Sequence, residues 1–117
     1  MHRIAGWYPV ADVPENKIEG KALVTTKDFA SVSLDTVSFP EMAVIEGRLK
    51  EDKIQKWAEA TESRIGKRIG FVFSDSVIMA PTVNCRIESG CFTISSPNKA
   101  LILEIYDSIR EANTGRP

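Results

Sequence analysis

The sequence is poor in the residues that most often do chemistry. Its one histidine, His2, stands next to the first residue, where chain ends are seldom tied down. A histidine-activated nucleophile is therefore not expected. The two cysteines, Cys85 and Cys91, have a spacing that fits no zinc pattern, and a single histidine cannot complete such a site. No catalytic residue, cofactor or metal ligand is assigned. Apolar runs extend only a few residues, against ~20 for a membrane span. Charge of one sign is not in excess either: 15 Lys and Arg face 16 Asp and Glu, a net of -1. Nucleic acid is held through a surplus of cations that neutralise phosphates, and anionic membranes through polybasic clusters. Neither is an expected partner, and no transmembrane segment is expected. No apolar leader core follows Met1. The expectation is a cytoplasmic chain or one whose signal or lipoprotein leader has been removed.

What is present is patterning. The 117 residues fit one domain, 1–117, large enough to bury roughly two-thirds of the surface of its unfolded chain. "KEDKIQKWAEATESRIG" (50–66) is the clearest helix: Ile54, Trp57, Ala58, Thr61 and Ile65 share a face, and Gly66 suits its end. A second helix is expected in "SPNKALILEIYDSIREANTG", with Ser96 as N-cap and Gly115 past its end. Its broad apolar face would be Ala100, Leu101, Leu103, Glu104, Ile105, Tyr106 and Ile109. Strands are expected in "GWYPV", "ALVTT", "EMAVIEGRL", "KRIGFVF" and "VIMA". The charged, Pro- and Gly-containing stretch 11–21 reads as a loop. "TVNCRI" and "CFTIS" flank "ESG" and read as a hairpin, with Cys85, Ile87, Phe92 and Ile94 on the core face and Cys91 on the other. In that register both cysteines are free thiols. Sequence-adjacent hairpins plus two amphipathic helices predict an α+β two-layer domain, a mainly antiparallel sheet with both helices on one face.

Carboxylates that could do acid–base work, Asp28, Asp35 and Asp75, fall in turns. The glycines and bases of "IGKRIG" lead into a strand, so they do not form a phosphate loop. Trp7 and Tyr8 are adjacent on a strand and point to opposite faces, one to the core and one to a rim.

Several short motifs agree in order with one family. "IGKRIGFVFSDSVIMAPTVNCRIESGCFTIS" (65–95) has a helix ending in Gly66-Lys67-Arg68, a buried strand at Phe71–Phe73 and a polar turn. A strand closing on Ala80-Pro81, a glycine turn at Gly90 and Ile94-Ser95 follow. With Trp57-Ala58 and Thr61 on the preceding helix and "ALVTTKDFASVSLD" upstream, the chain resembles the head of the extracytoplasmic P1 domain of SecD over residues 6–112. SecD is the membrane subunit that, with SecF, assists the bacterial preprotein translocase. Ser-Asp-Ser replaces the family's Asp-Gly type turn, and one glycine stands where the family usually has two. The resemblance implies a non-catalytic module, periplasmic or anchored on the outer side of a membrane, that engages translocating or envelope polypeptides. It carries over no proton-transport role, because the membrane-embedded residues that role requires are not in these 117 residues.

Two other readings stay open: a structural or homo-oligomerising envelope module, since sheet edges invite association, and a small enzyme using scattered carboxylates. For the binding module, the expected contact surface is an apolar sheet face or edge around Trp7, Tyr8, Met42 and Val44. An extended polypeptide would add there as a strand, held by main-chain bonds without sequence specificity.

Overall fold

The computed structural model describes residues 3–113; His2 and Gly115 lie outside them. Seven strands and two helices follow in the order β1 (Gly6–Val10), β2 (Val24–Thr25), β3 (Phe29–Asp35), β4 (Ala43–Leu49), α1 (Glu51–Ser63), β5 (Arg68–Phe73), β6 (Ser76–Met79), β7 (Cys91–Ser96) and α2 (Lys99–Asn113). The α+β class expected from the sequence holds. The strands divide, however, between two antiparallel sheets where the sequence order suggests one: β2-β1-β5-β6 and β3-β4-β7. Trp7 and Phe71 from the first sheet share a core with Ile45 and Ile94 from the second, and with Trp57, Ile102, Ile105 and Ile109 from the helices.

The local rules work where contacts are local. Between β2 and β3, Thr25 and Asp28 form a reciprocal capping box around the single turn Thr26–Asp28: the Thr25 hydroxyl accepts from Lys27 N–H and the Asp28 carboxylate accepts from Thr25 N–H at 2.9 Å. β5 and β6 join through Ser74 and Asp75, both in the left-handed region (φ 51° and 63°), as a two-residue primed turn requires. The N-cap of α2 is Asn98, not Ser96. The Asn98 side-chain oxygen accepts from Leu101 N–H at 3.1 Å, and Ser96 Oγ accepts from Asn98 N–H one step earlier. The buried stripe of α2 is Ile102, Ile105 and Ile109. Ile102 belongs on the apolar face and Leu103, 44% exposed, does not, because spacings of three and four residues align one stripe. Ile65 lies past the end of α1 and is exposed.

The expected hairpin of Thr82–Ile87 with Cys91–Ser95 does not form. β7 pairs with β4 instead, in the register Ile45↔Ile94 and Gly47↔Phe92. This long-range pairing buries Phe92 and Ile94 against the apolar face of β4. It also uses a close approach that only glycine permits: a Cβ on Gly47 would stand 2.3 Å from the Phe92 ring. Gly90, at φ +75°, turns the chain beneath Ile54 of α1 and its carbonyl accepts from Leu49 N–H at 2.8 Å. Residues 80–90 are left as a crossing between the sheets. They form isolated bridges, Val83 with Ile65 just past α1 and Thr82 with Arg68 of β5, and are tied further by Ile69 N–H to Pro81 O and Ile87 N–H to Thr61. Cys85 is consequently exposed rather than in the core, as is Cys91, and both are free thiols.

Candidate functional site

The crossing segment makes the most distinctive feature of the molecule. A cavity of about 360 Å³ lies where the outer strands β6 and β7 of the two sheets come together. Its walls are Trp7 from β1, Trp57 from α1, Met79 from β6, Val83 and Ile87 from the crossing segment, and Phe92 from β7. The aromatic wall is mutually braced: Trp7 stands tilted to Trp57 at 6.0 Å and edge-on to Phe92 at 6.2 Å and to Phe71 at 5.6 Å, geometries that ring quadrupoles favour. Met79 adds a cross-sheet link, its sulfur accepting from Ser95 N–H at 3.2 Å.

The outer wall is fastened to α1 by a buried hydroxyl. Thr61 Oγ1 donates to Ala58 O at 3.0 Å and accepts from Ile87 N–H at 2.9 Å. Beside it, Arg86 pairs with Glu62 of α1 and with Glu88. The hydrogen bond to Glu62, and then that to Glu88, raises the Arg86 pKa above its ordinary value. Thr61→Val keeps the shape but leaves Ile87 N–H without a partner, a loss of about 1–3 kcal/mol for a buried unmet donor. The expected result is that loss in urea unfolding, with faster hydrogen exchange at Ile87 than at Val72 in β5.

Among the described residues no Asp, Glu, His, Lys or Arg lines this cavity, and Cys85 is the one titratable group that does. The indole N–H groups of Trp7 and Trp57 are buried and have no acceptor among the described residues. The surface offered is mainly hydrocarbon and aromatic carbon, with Thr82, Asn84 and Thr93 as its uncharged polar side chains, and is suited to packing. The carboxylates considered as acid–base candidates are spent on local structure. Asp28 closes its capping box. Asp35 accepts from Val37 and Ser38 N–H in a turn, and hydrogen bonds from Ser38 hold its pKa below the ordinary value. Asp75 accepts from Arg3 N–H. Among the described residues no three or more of His, Cys, Asp and Glu gather as metal ligands would.

The four residues expected to form a contact surface do not share one. Trp7 is 2% exposed and forms cavity wall. Tyr8, on the opposite face of β1, is 5% exposed, and its hydroxyl donates to Ile4 O at 2.7 Å; burial raises its phenol pKa above the ordinary value. Val44 is 4% exposed and Met42 half-buried. The reason is the division into two sheets: β1 lies in one and β4 in the other, so the expected common face does not exist. Sequence periodicity missed Trp57, Met79, Val83 and Ile87 as a group. A signal was present in Pro81, Asn84 and the charged pair Arg86 and Glu88, which interrupt the strand pattern and mark a loop.

A family model for the SecDF P1 head subdomain matches residues 8–101, which contain β4, β5, β6, β7 and all of α1. The chain belongs to the SecDF P1 head family. Every cavity residue named above except Trp7 lies within the matched stretch. Among the solved structures that share its fold are two of SecDF. One is of SecDF, a membrane component that enhances protein export; it superposes with a TM-score of 0.78 at 18% identity, over 96% of this chain and 63% of that one. The other is the crystal structure of SecDF in a super-membrane-facing form, with a TM-score of 0.59 at 24% identity, over 84% of this chain and 12% of that one. The P1 head thus spans less than two-thirds of either solved chain. No curated protein matches the sequence. No helix among the described residues is long and apolar enough to cross a membrane.

Proposed function

We propose that this P1 head serves protein export outside the cytoplasm as a non-catalytic module that holds apolar segments of extended polypeptide. The observation that carries the reading is the cavity between β6 and β7, walled by Trp7, Trp57 and Phe92 and free of acids and bases other than the Cys85 thiol. Its volume falls in the range of small-molecule pockets, about 300–1,000 Å³, and suits individual apolar side chains better than a folded partner. Apolar burial is non-directional, so such a cavity accepts many sequences, as a module meeting many exported chains requires. Membership of the SecDF P1 head family supports the export role. The polypeptide contact therefore moves from the sheet face around Tyr8, Met42 and Val44 to the cavity, and Trp7 remains part of it.

Because two of the walls are tryptophans, binding reports itself. Titration with a permanently unfolded polypeptide, such as a reduced and carboxymethylated protein, should shift the indole emission of the P1 head saturably. A peptide stripped of aromatic and aliphatic side chains should not. Unchanged emission with the unfolded polypeptide, or equal responses to both ligands, would remove the reading.

A further inference from the structure

A second cavity, of about 400 Å³, shares no lining residue with the aromatic one and differs from it in chemistry. Arg64, Lys67 and Arg68, from the junction between α1 and β5, form one side, and Asp12 and Glu19 from the loop after β1 form the other. Arg64 ties the end of β1 to β5, and Arg68 holds the loop through Asn16. Arg64 Nη2 donates to Val10 O and Arg68 O at 3.2 and 2.8 Å and reaches Glu19 Oε1 only at 3.4 Å. Arg68 donates to Ala80 O at 3.0 Å and to Asn16 Oδ1 at 2.6 Å and reaches Asp12 Oδ1 at 3.3 Å.

The two carboxylates are loosely held compared with the rest. Their distances exceed the about 2.7–2.9 Å of strong charge-assisted bonds, each engages one guanidinium nitrogen, and Asp12 is 78% exposed. Arg64 Nε is buried and has no acceptor among the described residues, although its side chain is 15% exposed. Lys67 is exposed and pairs with no described carboxylate. The loop does not depend on the carboxylates: Ala11 N–H to Lys17 O, Glu19 N–H to Pro9 O and the Asn16 bond would keep it in place. A guanidinium fork is shaped for a bidentate carboxylate; Arg64 makes its contacts through Nη2 and leaves Nε without an acceptor, whereas all three Arg68 nitrogens are engaged, one of them by the loosely held Asp12.

We propose that this cavity binds a carboxylate of an acidic polypeptide segment, which displaces Asp12 and Glu19 and engages Arg64, Lys67 and Arg68. The class of ligand follows from the residents: two side-chain carboxylates delivered by an irregular segment already occupy the place a partner's would take. The site is independent of the aromatic cavity and of the reading attached to it.

The test is a titration of the intact chain with an Asp- and Glu-rich peptide, its Asn and Gln counterpart, and phosphatidylglycerol vesicles, following the arginine Nε–H resonances. The acidic peptide should move the Arg64 and Arg68 signals and the amide counterpart should not. Removing the residents, Asp12→Asn with Glu19→Gln, should tighten binding by about fivefold, the worth of freeing a weak exposed pair. Lys67→Glu, an exposed change, should abolish binding, and Lys99→Glu, an exposed change of the same charge at the start of α2, should leave it unchanged. Equal response to the amide peptide, affinity unaltered by the double variant or by Lys67→Glu, or a response to vesicles alone would overturn the proposal.

Discussion

Replacing Trp57 by alanine is expected to cost the P1 head about 3–5 kcal/mol in urea or guanidinium unfolding, the range for deleting a large buried aromatic. Trp57 is 1% exposed and packs on Trp7, which in turn braces Phe71 and Phe92. It is also the largest buried side chain of α1. The void left behind would join the existing cavity, so the surroundings have little means of collapsing into it. A domain of ordinary stability holds only about 5–15 kcal/mol in reserve, and the variant should sit close to its unfolding threshold. A cost below about 1 kcal/mol would mean that Trp57 is not packed as described.

Ile87→Glu should act on binding far more than on folding. Ile87 is half-buried at the outer wall of the cavity, where its backbone N–H, not its side chain, makes the fastening bond to Thr61. A carboxylate there can turn to solvent in the free protein. Once an apolar segment fills the cavity, the charge is either desolvated or left to exclude the ligand. The expected result is a loss of about tenfold or more in affinity for unfolded polypeptide, equivalent to about 1.4 kcal/mol or more. Ile87→Leu should bind as the parent does. Equal affinities for the parent and the glutamate variant would place the polypeptide elsewhere.

The parts of this fold legible in the sequence are those set by neighbours along the chain. The stripe Trp57, Ala58 and Thr61 marks α1, and all three are buried. The run Ile69–Phe73 marks a strand that is apolar on both faces, and β5 is a central strand with Phe71 and Val72 both fully buried. Ser74-Asp75 announces its turn. What was not legible depends on distant partners. Residues 82–94 read equally well as a local hairpin, but β7 pairs with β4, where Ile94 faces Ile45 and Phe92 closes over Gly47. Neither residue signals that contact alone. The division into two sheets follows from that pairing, and so does the aromatic cavity, because the segment released from the hairpin becomes its wall. Cys85 illustrates the dependence: alternation puts it in a core strand, and loss of the strand puts it at the surface. Trp7 is the one of the four expected contact residues that lines the cavity; alternation within β1 sets it opposite Tyr8, and which of the two turns toward the shared core is decided by the packing of the two sheets.

The most direct test of the central claim is a map of backbone amide shifts in the isotope-labelled P1 head on addition of a permanently unfolded polypeptide. The account predicts saturable shifts at Trp7, Trp57, Met79, Val83 to Ile87, Phe92 and Thr93, with little change along β3 and at Tyr8, Met42 and Val44. Shifts confined to β3 or to those last three residues, or no shifts at any polypeptide concentration, would contradict it.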